Sequence, residues 1–340
     1  MTDTQLDEQK KNCIFCKIIS GDIQGKKLYE DNYMSAILDI NPVTPGHTLL
    51  LPREHYPILP LLPPETFRHM FTMLPKLCNA LKNAMLTTGI NVMIANGAVA
   101  GQQSPHFLMH LIPREIGDSF DKFLFAGVEI ENSKKSNNIL SQNLNAMMQG
   151  HMQKNPETKT DEQQRTPVNI KRSGTTIYED EKAICIAPEK QVCNGHLVIY
   201  SKEEEHYFDQ EKNSTHLFYL ASFAATAVFE SLGAHGTNII LKSGESNDNM
   251  DSGLSIHIIP RYAEDSLDLK LEPMKEKPNL DDVQAKIRDK TFILEHACDE
   301  EEKCEVINLD TKPKIIQPDK ATSRNRVQQE IINAINNLKQ

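Results

Sequence analysis

Nowhere in this 340-residue sequence do 18 apolar residues run together, so no segment reads as a membrane-spanning helix. The opening MTDTQLDEQKKN has no apolar core and does not read as a secretory signal. Both absences point to a cytoplasmic address. Positive charge is scarce as well: 37 Lys and Arg stand against 47 Asp and Glu, a formal net charge of −10. General nucleic-acid binding needs a basic surface, so that class is excluded. Cysteine is too thinly and unevenly spread for a disulfide framework. Of Cys13, Cys16, Cys78, Cys185, Cys193, Cys298 and Cys304, only Cys13-x-x-Cys16 has a spacing with chemical meaning, as half a zinc site or a redox pair. The length suffices for two domains of ordinary size.

Taken in order, residues 1–12 read as a disordered tail and Cys13–Ser20 as a short helix ended by Gly21. Apolar segments at Lys27–Asp31, Met34–Asp39 and His47–Pro52 are separated by turns, as in an antiparallel meander. Pro63-Pro64-Glu65 opens a helix over about 64–87, with Phe67, Met70, Phe71, Leu74, Leu77 and Leu81 at helical spacing. Pro75 inside it predicts a kink. A strand follows at Asn91–Ala95. Next comes a glycine-bearing loop free of acidic residues, from Asn96 to Ser104, which suits an anion held by backbone N–H groups. It leads into His106-Phe107-Leu108-Met109-His110. Read as a strand, this run puts His106, Leu108 and His110 on one face, about 7 Å between successive members. Strands, a long helix and strands again describe an α+β domain.

Residues 131–170 turn polar and read as a linker, with one helix possible around Asn138–Met152. Beyond it the chain repeats itself. Tyr29-Glu30-Asp31 recurs as Tyr178-Glu179-Asp180, and Gly46-His47 as Gly195-His196, each 149 residues on (178 − 29; 195 − 46). Asn91, Gly97 and His110-Leu111-Ile112-Pro113-Arg114 recur as Asn238, Gly244 and His257-Ile258-Ile259-Pro260-Arg261, each 147 on (238 − 91; 257 − 110). Landmarks in one order at near-constant offset mark a tandem duplication. Asn213–Leu232 supplies the second long helix. The repeat reads as ending near Asp268, followed by helices at Leu280–Ile287 and Ser323–Leu338. The domain reading is therefore tail 1–12, domain 13–130, linker 131–170, second copy 171–268 and helical extension 269–340.

The segments CIFCKIISGDI, YEDNYMSAILDINPVTPGHTLLLPREHY and ANGAVAGQQSPHFLMHLIPR resemble the histidine-triad (HIT) superfamily of nucleotide-binding hydrolases and transferases. The resemblance covers residues 13–115 and, more eroded, about 175–262. It implies two α+β domains, each a mainly antiparallel, about five-stranded sheet with one long helix. It also implies that the two copies pair within one chain as a pseudo-dimer across the long helix and an edge strand. In the family the middle histidine of His-x-His-x-His attacks the α-phosphorus of a nucleotide, a covalent route. Here that position is Leu108, giving His-x-Leu-x-His. The second copy has Gly253, Ser255 and His257, where Ser255 could attack only with His196 or His257 as base.

Two groups of residues follow from the resemblance. Cys13, Cys16, His55 and His106 match a structural Zn²⁺ site; the second copy, with Glu204 and Gly253 in place of the two histidines, does not. Asp39 matches the ribose ligand, Asn96, Gly97 and Gln102 the phosphate contacts, and His47 and His110 the flanks of the reaction centre. In the second copy Pro188 replaces Asp39 and Ser243 replaces Asn96. The expectation is a protein that binds a purine nucleotide or nucleoside phosphate without turnover. Two alternatives stand beside it. One is a nucleotidyl hydrolase or transferase acting on dinucleoside polyphosphates or nucleoside phosphoramidates through His110 and His47. The other is an interaction scaffold with both pockets vestigial.

Overall fold

The computed structural model describes residues 9–131, 133–155, 173–202, 207–251 and 253–295. The expected helix at Ser323–Leu338, Cys298 and Cys304 lie outside the described residues. Ten strands form one sheet in which all paired neighbours are antiparallel. The first half contributes β1 (Lys27–Glu30), β2 (Met34–Leu38), β3 (Thr48–Pro52), β4 (Gly89–Asn96) and β5 (Met109–Arg114). The second contributes β6 (Gly174–Glu179), β7 (Ala183–Pro188), β8 (Leu197–Ser201), β9 (Gly236–Gly244) and β10 (Ser255–Arg261). The order β1-β2-β3-β5-β4 meets β9-β10-β8-β7-β6, so each half repeats the other's strand order outward from a central seam.

That seam is β4 against β9, paired from Gly89↔Gly244 to Asn96↔Thr237. The backbones approach too closely for side chains at its ends. A Cβ on Gly89 would stand 2.7 Å from the Glu245 carbonyl oxygen, and one on Gly236 2.7 Å from that of Asn96. Glycine is required there because it alone lacks the carbon that would clash.

The longer helices cover one face of the sheet, and a short N-terminal one lies on the other, over Ile37, Leu49 and Leu51. α1 (Ile14–Ser20) is short and ends at Gly21, whose φ of 88° stops the turn. α2 (Pro64–Met85) starts on proline at its first position and continues through Pro75. It buries Phe67, Met70, Phe71, Leu74, Leu77 and Leu81. α4 (Ser214–Leu232) does the same for the second half. The two helices meet through aromatic stacks, Phe71 on Phe218 at 4.3 Å and Phe67 on Tyr219 at 4.1 Å between ring centroids. One core cluster thus runs through both halves.

The polar stretch after the first domain forms α3 (Ser133–Lys154), longer than its sequence suggests. Leu140, Leu144 and Met148 recur every four residues, and that narrow stripe is buried. α3 packs on the second half: Ser141 and Asn145 donate to the Ile177 carbonyl at 2.9 and 3.0 Å, and Asn143 to Ser231. The last described helix, α5 (Leu280–Glu295), packs on the first half, where Thr291 and Gln284 donate to the Leu28 and Lys27 carbonyls. The two helices begin 147 residues apart (280 − 133). The structural correspondence of the halves thus extends to these helices, and each half's closing helix covers the first strand of the other half. Another departure is at the N-terminus, where residues 9–12 form a helical turn rather than a disordered tail, with Lys10 paired to Glu54 at 3.1 Å.

Candidate functional site

The opposite face of the sheet carries the polar clusters. Along β5, Met109 and Leu111 enter the helix-covered core, whereas Ile112 belongs to a separate cluster on the far side. His106 and Leu108 precede the strand, which begins only at Met109.

The first cluster is built at the start of α1. Cys13 is the N-cap residue and Cys16 lies one turn on, so both sulfurs point the same way. The chain after β3 brings in His55, and the loop before β5 brings in the fully buried His106. All four donor atoms lie within 4.8 Å of one another. His106 Nε2 faces the Pro52 carbonyl at 2.9 Å. A carbonyl only accepts, so Nε2 carries the proton and the Nδ1 lone pair faces Cys13 at 3.6 Å and Cys16 at 3.5 Å. His55 Nδ1 lies 3.3 Å from Cys16. Bond lengths of about 2.3 Å to sulfur and 2.0 Å to nitrogen give tetrahedral N···S edges of about 3.5 Å, so the donor set fits a four-coordinate ion. The hydrogen bond from Cys16 pushes the Cys13 thiol far down, and the same bond holds Cys16 up.

The second cluster joins the turn after β2 to β3 and β5. Asp39 Oδ1 accepts the Asn41 N–H at 2.8 Å, which leaves Oδ2 facing His47 Nδ1 at 3.5 Å. His47 Nε2 lies 3.1 Å from His110 Nδ1. Burial pushes His47 down to about 3, and it lowers His110 as well, so both rings are neutral at pH 7. Between the two clusters Leu108 is half-buried against Phe15 and Ile18, over Ile19, Ile37, Leu49 and Leu51.

The expected phosphate contacts are placed differently from one another. Gly97 has a φ of 94° and opens the turn Ala98–Ala100. The Asn96 amide is committed elsewhere: its Oδ1 accepts from Leu59 N–H at 3.2 Å and its Nδ2 donates to Thr237 at 3.2 Å. Gln102 accepts from Gly97 N–H at 2.8 Å and donates to the Pro57 and Ser104 carbonyls. Both amides brace the loop from within. The spacing that singled them out carries no information about which way an amide points.

In the second half His196 Nε2 lies 3.1 Å from His257 Nδ1, and His257 Nε2 lies 3.3 Å from Ser255 Oγ. Val192 N–H donates to His196 Nδ1 at 3.3 Å. That bond fixes the polarity of the neutral rings: His196 donates to His257, whose own N–H then points at Ser255. His257 is a donor to Ser255 and not its base. Pro188 stands where Asp39 would, and Ser243 accepts the Phe208 N–H as Asn96 accepts that of Leu59. Glu204 lies outside the described residues. Phe125, carried over from the first half, sits 5.3 Å from the His257 ring, with the Lys242 ammonium 4.3 Å from its own.

Comparison with known proteins gives the family. A HIT domain matches residues 20–117. The chain is 43% identical over 111 residues to the protein hit of Bacillus subtilis, covering 32% of this chain and 77% of that one. This chain belongs to the HIT family. It is also 41% identical over 109 residues to the adenylylsulfatase HINT3 of Arabidopsis thaliana, covering 32% of this chain and about half, 55%, of that protein. Among solved structures it is similar to a Zn-bound histidine triad family protein from Mycobacterium smegmatis, with 38% identity, 32% and 80% of the two chains covered, and a TM-score of 0.31.

In this HIT chain, sequence reasoning missed the groups that reach across the seam. Phe125 gives no local signal of its destination. Asp248 lies in the loop matching Gly101, yet its buried side chain meets Arg114 at 2.5 Å and Lys242 at 3.4 Å. An acidic residue in a loop expected to favour anions was the available hint.

Proposed function

We propose that this is a tandem HIT-family protein whose first half binds a purine nucleotide or nucleoside phosphate without forming a nucleotidyl-enzyme. The observation that carries this reading is the gathering of Asp39, His47 and His110 in one cluster, while leucine occupies the attacking position. A carboxylate suits a ribose diol, and a phosphate would lie along the turn that Gly97 opens, whose own N–H is given to Gln102. Asn96 and Gln102 serve by holding that loop. Leucine offers no lone pair to phosphorus, so the covalent route is closed.

The second half takes no nucleotide in this reading. Its loop carries Glu245 and Asp251, which repel phosphate, and Phe125 lies over its histidines. It acts as the partner subunit of an intrachain HIT–HIT pseudo-dimer, a reading supported by the mirrored strand orders and the α2–α4 stacks. The bounds 13–130 and 171–268 describe the two domains, with α3 and α5 exchanged between them. Cys13, Cys16, His55 and His106 would hold a structural zinc, which supplies a cross-link from α1 to the loops before and after it. Reduced, unpaired cysteines suit the cytoplasm.

One observation favours a second reading, hydrolysis by a rerouted path. Asp39, His47 and His110 lie in line, and they would make His110 a base for water only after the His47 proton moved from Nε2 to Nδ1, which now accepts the Val43 N–H at 3.4 Å. Calorimetric titration with AMP, GMP and a dinucleoside polyphosphate, followed by a turnover assay on the same sample, separates the readings. Binding without product supports the proposal. Steady product supports the rerouted enzyme, and neither result leaves the scaffold.

A further inference from the structure

The second half reaches the first half's site through the segment between β10 and α5. Its Leu269 is buried in one cluster with Val43, Met93 and Ile112 of the first half. Farther on, Met274 N–H donates to the Pro42 carbonyl at 2.8 Å. Lys277 Nζ donates to Asn41 Oδ1 at 2.6 Å and to the Ile40 carbonyl at 3.2 Å. These last three bonds all fall on the turn that follows Asp39.

That turn sets the direction of the Asp39 carboxylate. Asn41 N–H donates to Asp39 Oδ1 at 2.8 Å, the local bond by which an aspartate side chain closes a turn on its own backbone. Oδ2 faces His47 Nδ1 at 3.5 Å, but that nitrogen accepts the Val43 N–H at 3.4 Å and has no proton to give. Oδ2 is left as an acceptor for a ligand hydroxyl, and where it points follows from where Asn41 is held. Ile40 and Asn41 are exposed, so hydrogen bonds rather than packing must hold them.

The other half shows why a lysine is used. Gln191 stands at the position of Pro42 (191 − 42 = 149). There the crossing segment is tied by two backbone bonds, Val128 N–H to the Gln191 carbonyl at 2.9 Å and Gln191 N–H to the Val128 carbonyl at 2.8 Å. Proline has no N–H to return the second bond. The Asp39 turn therefore keeps one backbone tie and takes two more from the Lys277 ammonium. Its counterpart carries Pro188 and has no carboxylate to aim.

We propose that Lys277, supplied by the second half, is a positioning residue for Asp39, fixing its turn so that Oδ2 is presented to the ribose diol of a nucleotide bound in the first half. The inference rests on the reading of Asp39 as the ribose contact. It makes the second half a working part of the first half's site.

The test joins hydrogen exchange of the free full chain to calorimetric titration with AMP and with 2′,3′-dideoxy-AMP, which lacks both ribose hydroxyls. In Lys277→Ala the amides of residues 39–43 exchange faster. AMP binds about 2–10-fold more weakly, the effect of having to order one freed side chain on binding, while dideoxy-AMP binds as it does to the parent. Lys277→Arg keeps donors for both oxygens and restores both readings. Lys275→Ala, at a neighbouring exposed lysine, changes neither. Unchanged exchange at 39–43 in Lys277→Ala overturns the proposal. So does an equal loss for the two nucleotides, the mark of lost charge rather than lost position. A parent chain that prefers AMP to dideoxy-AMP, with Lys277→Ala keeping that preference in full, refutes the role of Lys277 alone. A parent that shows no such preference refutes the ribose reading of Asp39, and this inference with it.

Discussion

Asp248→Ala should destabilise the whole chain, because its carboxylate is the charge that two buried cations share across the seam. Arg114 is fully buried in β5 and holds Asp118 at 2.6 and 2.9 Å, the Phe120 carbonyl at 2.6 Å, Asn91, and Asp248 at 2.5 Å. Lys242 lies 3.4 Å from Asp248 and also donates to the Phe123 carbonyl. The Asp248 side chain has no exposure. Removing it leaves Arg114 with Asp118 alone and Lys242 with carbonyl oxygens only. Breaking a buried pair from one side costs about 3–5 kcal/mol, which lowers the melting temperature by on the order of 10 °C. Lys242→Met added to Asp248→Ala removes the stranded cation, so the double variant should lose less than the single. Urea denaturation of the three proteins at one pH measures both effects. A loss below about 1 kcal/mol, the value of an exposed pair, would refute the assignment. So would a double variant no more stable than Asp248→Ala.

Leu108→His restores an imidazole at the attacking position, so the variant should form a trappable nucleotidyl-enzyme with a nucleoside phosphoramidate where the parent forms none; mass spectrometry of quenched reactions reads it. Removing Cys13 and Cys16 together should abolish zinc uptake and lower thermal stability, as seen by metal analysis and melting; an unchanged zinc content contradicts the cluster. Acid should weaken the fold well above the carboxylate range. Burial holds His47 and His196 at about 3, from 6.5, so the unfolded rings take up protons first. Stability is complete above about pH 6.5 and falls below it by about 1.4 kcal/mol per pH unit for each ring. Denaturation midpoints that stay level from pH 7 to pH 5 would show that these rings are not buried neutral.

The sequence by itself determined what local spacing encodes. Periodicity placed the long helices, the two offsets matched segments that the fold sets in mirrored strand order, and Cys13-x-x-Cys16 with His55 and His106 named a donor set that the fold brings within 4.8 Å. That a leucine stands at position 108 between two histidines was also readable, because identity at one position suffices. The polar composition of 131–170 let the sequence suggest only the middle of α3, since a three-residue stripe is enough to dock a helix on a ready surface. Only the tertiary structure decided which amides face inward, which half carries an aromatic cap, and that Asp248 joins Arg114 across the seam. The cap and the Asp248–Arg114 pair join residues more than a hundred positions apart, and the amides turn on partners from Pro57 and Leu59 to Thr237, contacts of which one sequence read locally holds no record.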